Sequence, residues 1–199
     1  MRILGVLALG CYAIHGGSHL LKHQPEDLLW ACHIGAALVG VGLLIGSASV
    51  NGIGVLFLVL GTPLWIMDLL AGGEFLPTSC LTHLGGLAIG LYAVGQLGMP
   101  RSAWWQSTLA LVALMILCRL VTPREANVNV AFAIQHGYED YFSSHAIYLA
   151  TMIALATAYF FIAGYALRRV LGALKPDGRA GGLIPAEPSA RDIPRKHCL

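Results

Sequence analysis

Charge is what this chain has least of. Only 11% of its 199 residues are Asp, Glu, Lys or Arg, against about a quarter in soluble domains. That shortage excludes an ordinary water-soluble globule. The net charge of +2 gives no reason to expect a nucleic-acid partner, which would call for a basic surface. Cysteine is sparse too, with an odd count of five. Cys11, Cys32, Cys80 and Cys118 fall inside apolar runs, which excludes a disulfide framework. Cys198 is next to last and does not fit a prenylation box. The first apolar run lacks a small-residue cleavage site. HGGSHLLKH follows it instead, so the run reads as a retained helix and not as a signal peptide.

What the chain has is apolar length, with 57% hydrophobic residues. Several runs are long enough to cross a bilayer. They predict an all-α polytopic membrane protein, a bundle of about six transmembrane helices over roughly 3–21, 28–46, 53–71, 80–98, 103–121 and 145–168. Gln24-Pro25, Asn51-Gly52, Gly72-Gly73 with Pro77, and Met99-Pro100 separate them. The longest and most polar connection, 122–144, is expected at the surface or as a short interfacial helix. Residues 1–175 form the membrane domain, and 176–199 are expected to be a mobile basic tail. Arg168, Arg169, Lys175, Arg179, Arg191, Arg195 and Lys196 against Asp177, Glu187 and Asp192 put that tail in the cytoplasm. An even number of spans then puts both termini there. Gly42-x-x-x-Gly46 and Gly86-x-x-x-Gly90 are spacings that let helix backbones approach.

Folding six spans up and down puts the polar residues at one depth. His15 and His19 fall near the end of the first span, Cys32 and His33 at the start of the second, and Asp68 at the end of the third. Cys80 and His83 open the fourth, Arg119 ends the fifth, and His145 opens the sixth. The other halves of the spans are almost purely apolar. Ionisable groups inside membranes usually face a bundle interior or a wet cavity. This pattern predicts a cavity near the outer leaflet, lined by His19, His33, Asp68 and His145. His15, His19 and His23 share one helix face, which serves either as interface lining or as metal ligands. Cys80 and His83 sit at i, i+3 on one face. Asp68 and Arg119 form either an ion pair or a device that orients a histidine.

Chemistry enters through the thiol. A cysteine becomes a strong nucleophile when a base or a cation favours the thiolate. His33 follows Cys32 and points about 100° away around the helix. His83, at matching depth on another helix, is the better-placed base. Cys32 and His83 are therefore the candidate catalytic pair, with His33 in a supporting or packing role.

The runs LLWACHIGAALVGVGLL, GVLFLVLGTPLWIMDL, LTHLGGLAIGLY and PREANVNVAF, in that order over roughly Asp27 to Arg169, resemble the YwaF-like integral membrane family, that of transmembrane protein 164. The resemblance implies a phospholipid acyltransferase working through a Cys–His acyl-enzyme. Its more distant relatives, the androgen-induced lipid hydrolases, pair a Thr with a His. By motif, the nucleophile falls on Cys32, the base on His83, and the Asn of the loop motif on Asn127. The chain departs from the pattern at Asn127-Val128-Asn129, where Asn-Tyr-Met is expected, and at Trp30, which replaces a His.

Three functions remain open at this level. One is an intramembrane acyl-transfer enzyme acting on a membrane lipid, a transferase or a hydrolase, with no metal or cofactor. Another is a metal- or haem-binding membrane protein. His15, His19, His33, His83 and His145 supply its ligands, and Cys80 offers a thiolate. The last is a non-enzymatic protein, a small transporter or an assembly factor.

Overall fold

The computed structural model describes residues 1–173. The expected tail over 176–199 lies outside them. The described residues are all-α: α1 (Arg2–Leu21), α2 (Ala31–Ile45), α3 (Ala48–Leu70), α4 (Leu87–Leu97), α5 (Ala103–Val121) and α6 (His145–Ala173). A π-helical turn, Leu81–Gly86, runs directly into α4. Four of the helices, α1, α3, α5 and α6, are long and apolar enough to cross a membrane. Two shorter apolar helices, Ala31–Ile45 and Leu81–Leu97, pack among them. The chain is a polytopic membrane protein by this measure. α2 starts later than its apolar run because Pro25–Leu29 coils into a 3-10 turn first. The connection before α6 holds 3-10 turns at Arg124–Ala126, Val128–Val130 and Glu139–Tyr141, not a continuous interfacial helix.

In an apolar solvent, helices associate through close packing more than through hydrophobic exclusion. The centre of the bundle shows this. A Cβ on Gly54 would lie 2.5 Å from the Gly35 carbonyl oxygen and 2.7 Å from the Val39 nitrogen, so α2 and α3 touch backbone to backbone. These helices are joined by Gly46, which turns the chain at φ +69°, a conformation cheap only for glycine. Ser47 then caps α3, its Oγ accepting from the Val50 N–H at 3.3 Å. Of the two small-residue spacings, Gly42, Gly86 and Gly90 sit at helix contacts, while Gly46 is the turn. Val39, Val55, Leu56, Leu58 and the stacked Phe57–Phe160 pair fill the interior. Ile3, Leu21, Leu70, Leu120 and Ile162 face outward, as a lipid-facing surface requires.

Pro63 lies inside α3. It has no N–H, so the Val59 carbonyl loses its helical donor. The Tyr159 hydroxyl, from α6, donates to that oxygen at 3.0 Å. A third helix thus satisfies a polar group that lipid would leave bare. Asn51, fully buried on α3, donates through Nδ2 to the Gly90 carbonyl at 3.4 Å and ties in α4.

Because the α2–α3 crossing is backbone on backbone, no flexible side chain there can yield to an added methyl. Gly54→Ala is expected to destabilise the bundle by about 3 kcal/mol, the upper end for overpacking. Thermal unfolding in detergent checks this. A midpoint within a degree of the parent would show that the helices part easily.

Candidate functional site

The loops Pro25–Trp30 and Glu74–Cys80, the end of α1, the start of α2 and the π turn meet at one end of the bundle. His15 and His19 come from the last turns of α1, His33 from the first turn of α2, and His83 from the π turn. Their rings form one cluster. Centroids are 4.6 Å apart for His15–His33, 4.7 Å for His15–His19, 5.4 Å for His19–His33 and 5.8 Å for His33–His83. Trp65 of α3 stacks on His83 at 4.5 Å with planes 9° apart. All four histidines are buried, His15 and His83 to 2% exposure.

One ring nitrogen each of His15, His33 and His83 is anchored. His33 Nδ1–H donates to the Asp27 carbonyl oxygen at 2.6 Å, and His83 Nδ1–H to the Ser79 carbonyl at 3.0 Å. A carbonyl only accepts, so these nitrogens carry the protons. His15 follows by counting hydroxyl protons. Ser18 O–H donates to the His15 carbonyl at 2.6 Å. The Thr78 O–H is therefore the donor in its 3.0 Å contact with Ser18 Oγ. Thr78 Oγ1, its proton spent, accepts from His15 Nδ1–H at 2.9 Å. His19 Nδ1 lies 3.2 Å from Asp27 Oδ2. That is an ion-pair distance whose angle falls short of a hydrogen bond, since the nitrogen is otherwise unpartnered.

The free nitrogens converge. His15 Nε2 lies 3.1 Å from His33 Nε2 and 3.4 Å from His19 Nε2. With Nδ1 protonated in neutral rings, His15 and His33 bring two lone pairs together. His15, His19 and His33 form one group whose donor atoms all lie within 4.8 Å of one another, and Cys32, His33 and His83 form another. His83 Nε2 is buried and has no partner.

The other expected residues fall as follows. Cys32 packs against α3, where Gly61 leaves room for it. A Cβ on Gly61 would be 2.6 Å from that of Cys32. No hydrogen bond joins Cys32 Sγ to His83. His33, read from the sequence as secondary, occupies the middle of the cluster. His15 and His19 are buried, not lining an interface, because the Pro25–Trp30 and Glu74–Cys80 loops fold over them. His23 lies beyond the end of α1 at φ +58° and points elsewhere. Cys80 is in neither group of potential ligands. A π turn closes i to i+5, so the i, i+3 alignment of a regular α-helix does not carry over to Cys80 and His83. Asp68 is exposed at the end of α3. Among the described residues it pairs with no cation.

Arg119 and His145 belong to a second assembly. Arg119 Nε–H donates to the Ala131 carbonyl at 2.5 Å, and Nη2–H to His145 Nδ1 at 3.3 Å. His145 Nε2–H donates to the Val130 carbonyl at 3.0 Å. These contacts hold a loop in which Asn127, Asn129 and Val130 all have positive φ. Asn127 serves that loop, its Oδ1 accepting from the N–H groups of Phe132 and Ala133. Asn129, which sequence reasoning passed over, is the one that reaches the site. Its Oδ1 accepts from Ala31 N–H at 2.9 Å and its Nδ2–H donates to the Leu29 carbonyl at 2.7 Å. It caps α2 from a loop nearly a hundred residues away, directly ahead of Cys32 and His33.

Sequence reasoning also missed Asp27, Thr78 and Trp65. Asp27 contributes through its backbone oxygen and its carboxylate, which also accepts from Trp30 Nε1–H at 3.0 Å. No family model matches the chain, and neither does any curated protein or solved structure.

Asn129→Ala removes both bonds that cap α2 and leaves the Ala31 N–H and Leu29 carbonyl without them. The expected loss is about 2 kcal/mol, as for a strong helix cap. Asn129→Asp keeps the acceptor and is expected to lose less. Chemical or thermal unfolding of the two variants checks the order. The reverse order would show that Nδ2, not Oδ1, is the important end.

Proposed function

We propose that this chain is a metal-binding membrane protein whose ion sits among His15, His19 and His33. One observation carries the reading: three imidazole Nε2 atoms converge, with His15–His33 at 3.1 Å and His15–His19 at 3.4 Å. Two nitrogens each about 2.05 Å from a tetrahedral zinc ion lie about 3.3 Å apart. The contacts thus have the length of a coordination edge, and a cation removes the lone-pair repulsion. The anchoring supports the same reading. Metal-bound histidines usually give their other N–H to a carbonyl or carboxylate. Here His33 gives its proton to Asp27 and His15 to Thr78, with Asp27 Oδ2 beside His19. Imidazole donors suit zinc, copper, nickel and iron more than magnesium or calcium. Three histidines with a further position open also match catalytic zinc sites. In a membrane with six crossings and both termini in the cytoplasm, the cluster would face the outer leaflet, close to the surface.

Purified protein is expected to hold about one equivalent of zinc or a similar ion by elemental analysis. His15→Ala is expected to lower affinity more than tenfold, and Thr78→Val by about tenfold, in the range typical for residues that orient ligands. Affinity is expected to fall as pH falls, because protons compete for the same lone pairs. Metal-free protein that also fails to bind zinc on titration would end the proposal.

A second reading keeps the acyl-transfer chemistry implied by the resemblance to the YwaF-like family. It is favoured by one observation: Cys32 lies in the same donor group as His83, whose Nε2 has no partner. A small approach of the two would make a Cys–His dyad, with a membrane lipid as the acyl donor. A lipid-like thiol-reactive probe is expected to label the protein and to lose its label in Cys32→Ala and His83→Ala. Undiminished labelling in Cys32→Ala would rule this out.

A further inference from the structure

We infer that the ion has two alternative seats pivoting on His33, the second completed by the Cys32 thiolate and His83. This rests on the metal-binding reading above and extends it. The two donor groups, His15–His19–His33 and Cys32–His33–His83, share only His33. Its Nδ1 is tied to the Asp27 carbonyl at 2.6 Å. His33 therefore offers one nitrogen, Nε2, to both sides and cannot bridge two ions through opposite ring atoms. One ion held at Nε2 faces either the imidazoles of α1 or the thiol of α2 with the imidazole of the π turn.

The second seat is built, not incidental. His83 is 2% exposed, and its Nδ1–H is fixed on the Ser79 carbonyl. Trp65 stacks flat on its ring and limits its rotation. Its Nε2 is left buried without a partner, a costly state unless something binds there. A π turn inside a helix is a rare local geometry frequently found at functional sites, and this one presents His83. The Thr62 hydroxyl donates to the His83 carbonyl at 3.3 Å and steadies the turn.

The two seats differ in chemical character. The first is all imidazole. The second adds a thiolate and so favours borderline and soft ions, zinc and copper(I) over manganese. When the ion moves across, a sulfur–metal bond forms and the Cys32 S–H bond breaks. The proton is released to solvent, and the metal keeps its oxidation state. Such a pair of seats suits passing an ion from one donor set to the other.

Cobalt(II) titration of the full chain in detergent tests this, because cobalt reports tetrahedral sites and thiolate ligands by separate absorption bands. The wild type is expected to bind one equivalent and to show both bands. Cys32→Ser is expected to lose the thiolate band yet keep the ligand-field band. His15→Ala is expected to keep the thiolate band. His33→Ala is expected to weaken binding more than either, by more than about a hundredfold if both seats fail. Absence of a thiolate band in the wild type, or its persistence in Cys32→Ser, would overturn the second seat while leaving the three-histidine site intact. Binding of two equivalents would overturn the pivot. No cobalt binding at all would overturn the metal reading itself. Circular dichroism of each variant separates lost ligands from lost fold.

Discussion

Two neutral imidazole nitrogens that face each other at 3.1 Å, both with lone pairs inward, repel. A proton or a metal ion between or beside them would relieve that repulsion. The hydrogen bonds around the cluster decide how much freedom there is. His33 spends its Nδ1 proton on a carbonyl, and His15 spends its own on a hydroxyl already committed as a donor elsewhere. Turning over either ring tautomer would break those bonds. A proton on one Nε2 would put a cation at a site where no carboxylate other than that of Asp27 stands near among the described residues. A divalent ion meets the same need while engaging several nitrogens at once, which is why the geometry favours a metal.

The rest of the fold serves this cluster by bringing loops and helix ends to one level. α1 and α2 must come close enough for His15 and His33 to touch, and α2 must lie on α3 for Cys32 and Trp65 to flank His83. The glycines at those crossings permit it, Gly54 against Gly35 and Gly61 against Cys32. Position along the α2 axis is set by Asp27 on one side and Asn129 on the other. Both act at the first turn, where helical N–H groups lack internal partners. Arg119 and His145 hold the Asn129 loop in a backbone conformation that Val130 would not adopt alone. Strain of that kind persists only where the surroundings over-determine it. Here the surroundings are the ends of α5 and α6. The cluster therefore draws on the whole bundle, though α3, α5 and α6 contribute no ligand.

Much of this was legible in the sequence. Apolar length located the helices, though α3 starts at Ala48 and not at 53 and α6 runs on to Ala173 and not to 168. Alternating direction placed the histidines, both Cys32 and Cys80, and Arg119 at one end. Period alone brought His15 and His19 to one face. The sequence was weaker wherever backbone geometry departs from the regular helix. Adjacent residues diverge around α2, so Cys32 and His33 were read as one working residue and one bystander. Yet His33 sits in the middle, in one donor group with Cys32 and His83 and in another with His15 and His19. The i, i+3 rule aligned Cys80 with His83, but that rule holds for a regular α-helix and His83 lies in a π turn. Asn127 and Asn129 are equivalent by composition. Only the positive-φ loop shows that Asn127 bonds its own turn while Asn129 reaches Leu29 and Ala31. Asp27 contributes a backbone oxygen, which no side-chain pattern can reveal.

The metal reading and the acyl-transfer reading place opposite demands on the same atoms. A nucleophilic Cys32 must give its proton to His83 Nε2 and then be free to attack, which requires that lone pair to be empty of metal. A coordinating Cys32 loses its proton to solvent and shares the ion with His83, which quenches the nucleophile. The Trp65 stack and the Ser79 anchor fix the His83 ring without distinguishing the two. The distinction comes from the neighbours. A dyad needs only Cys32 and His83, and leaves His15, His19 and their hydroxyl chain without a task. In a low-dielectric interior, buried polar groups are costly unless paired. Three further imidazoles, His19 and His33 beside Asp27 and His15 on the Thr78 hydroxyl, exceed what orienting one base requires. They are accounted for when the ion, not the thiol, is the centre of the site.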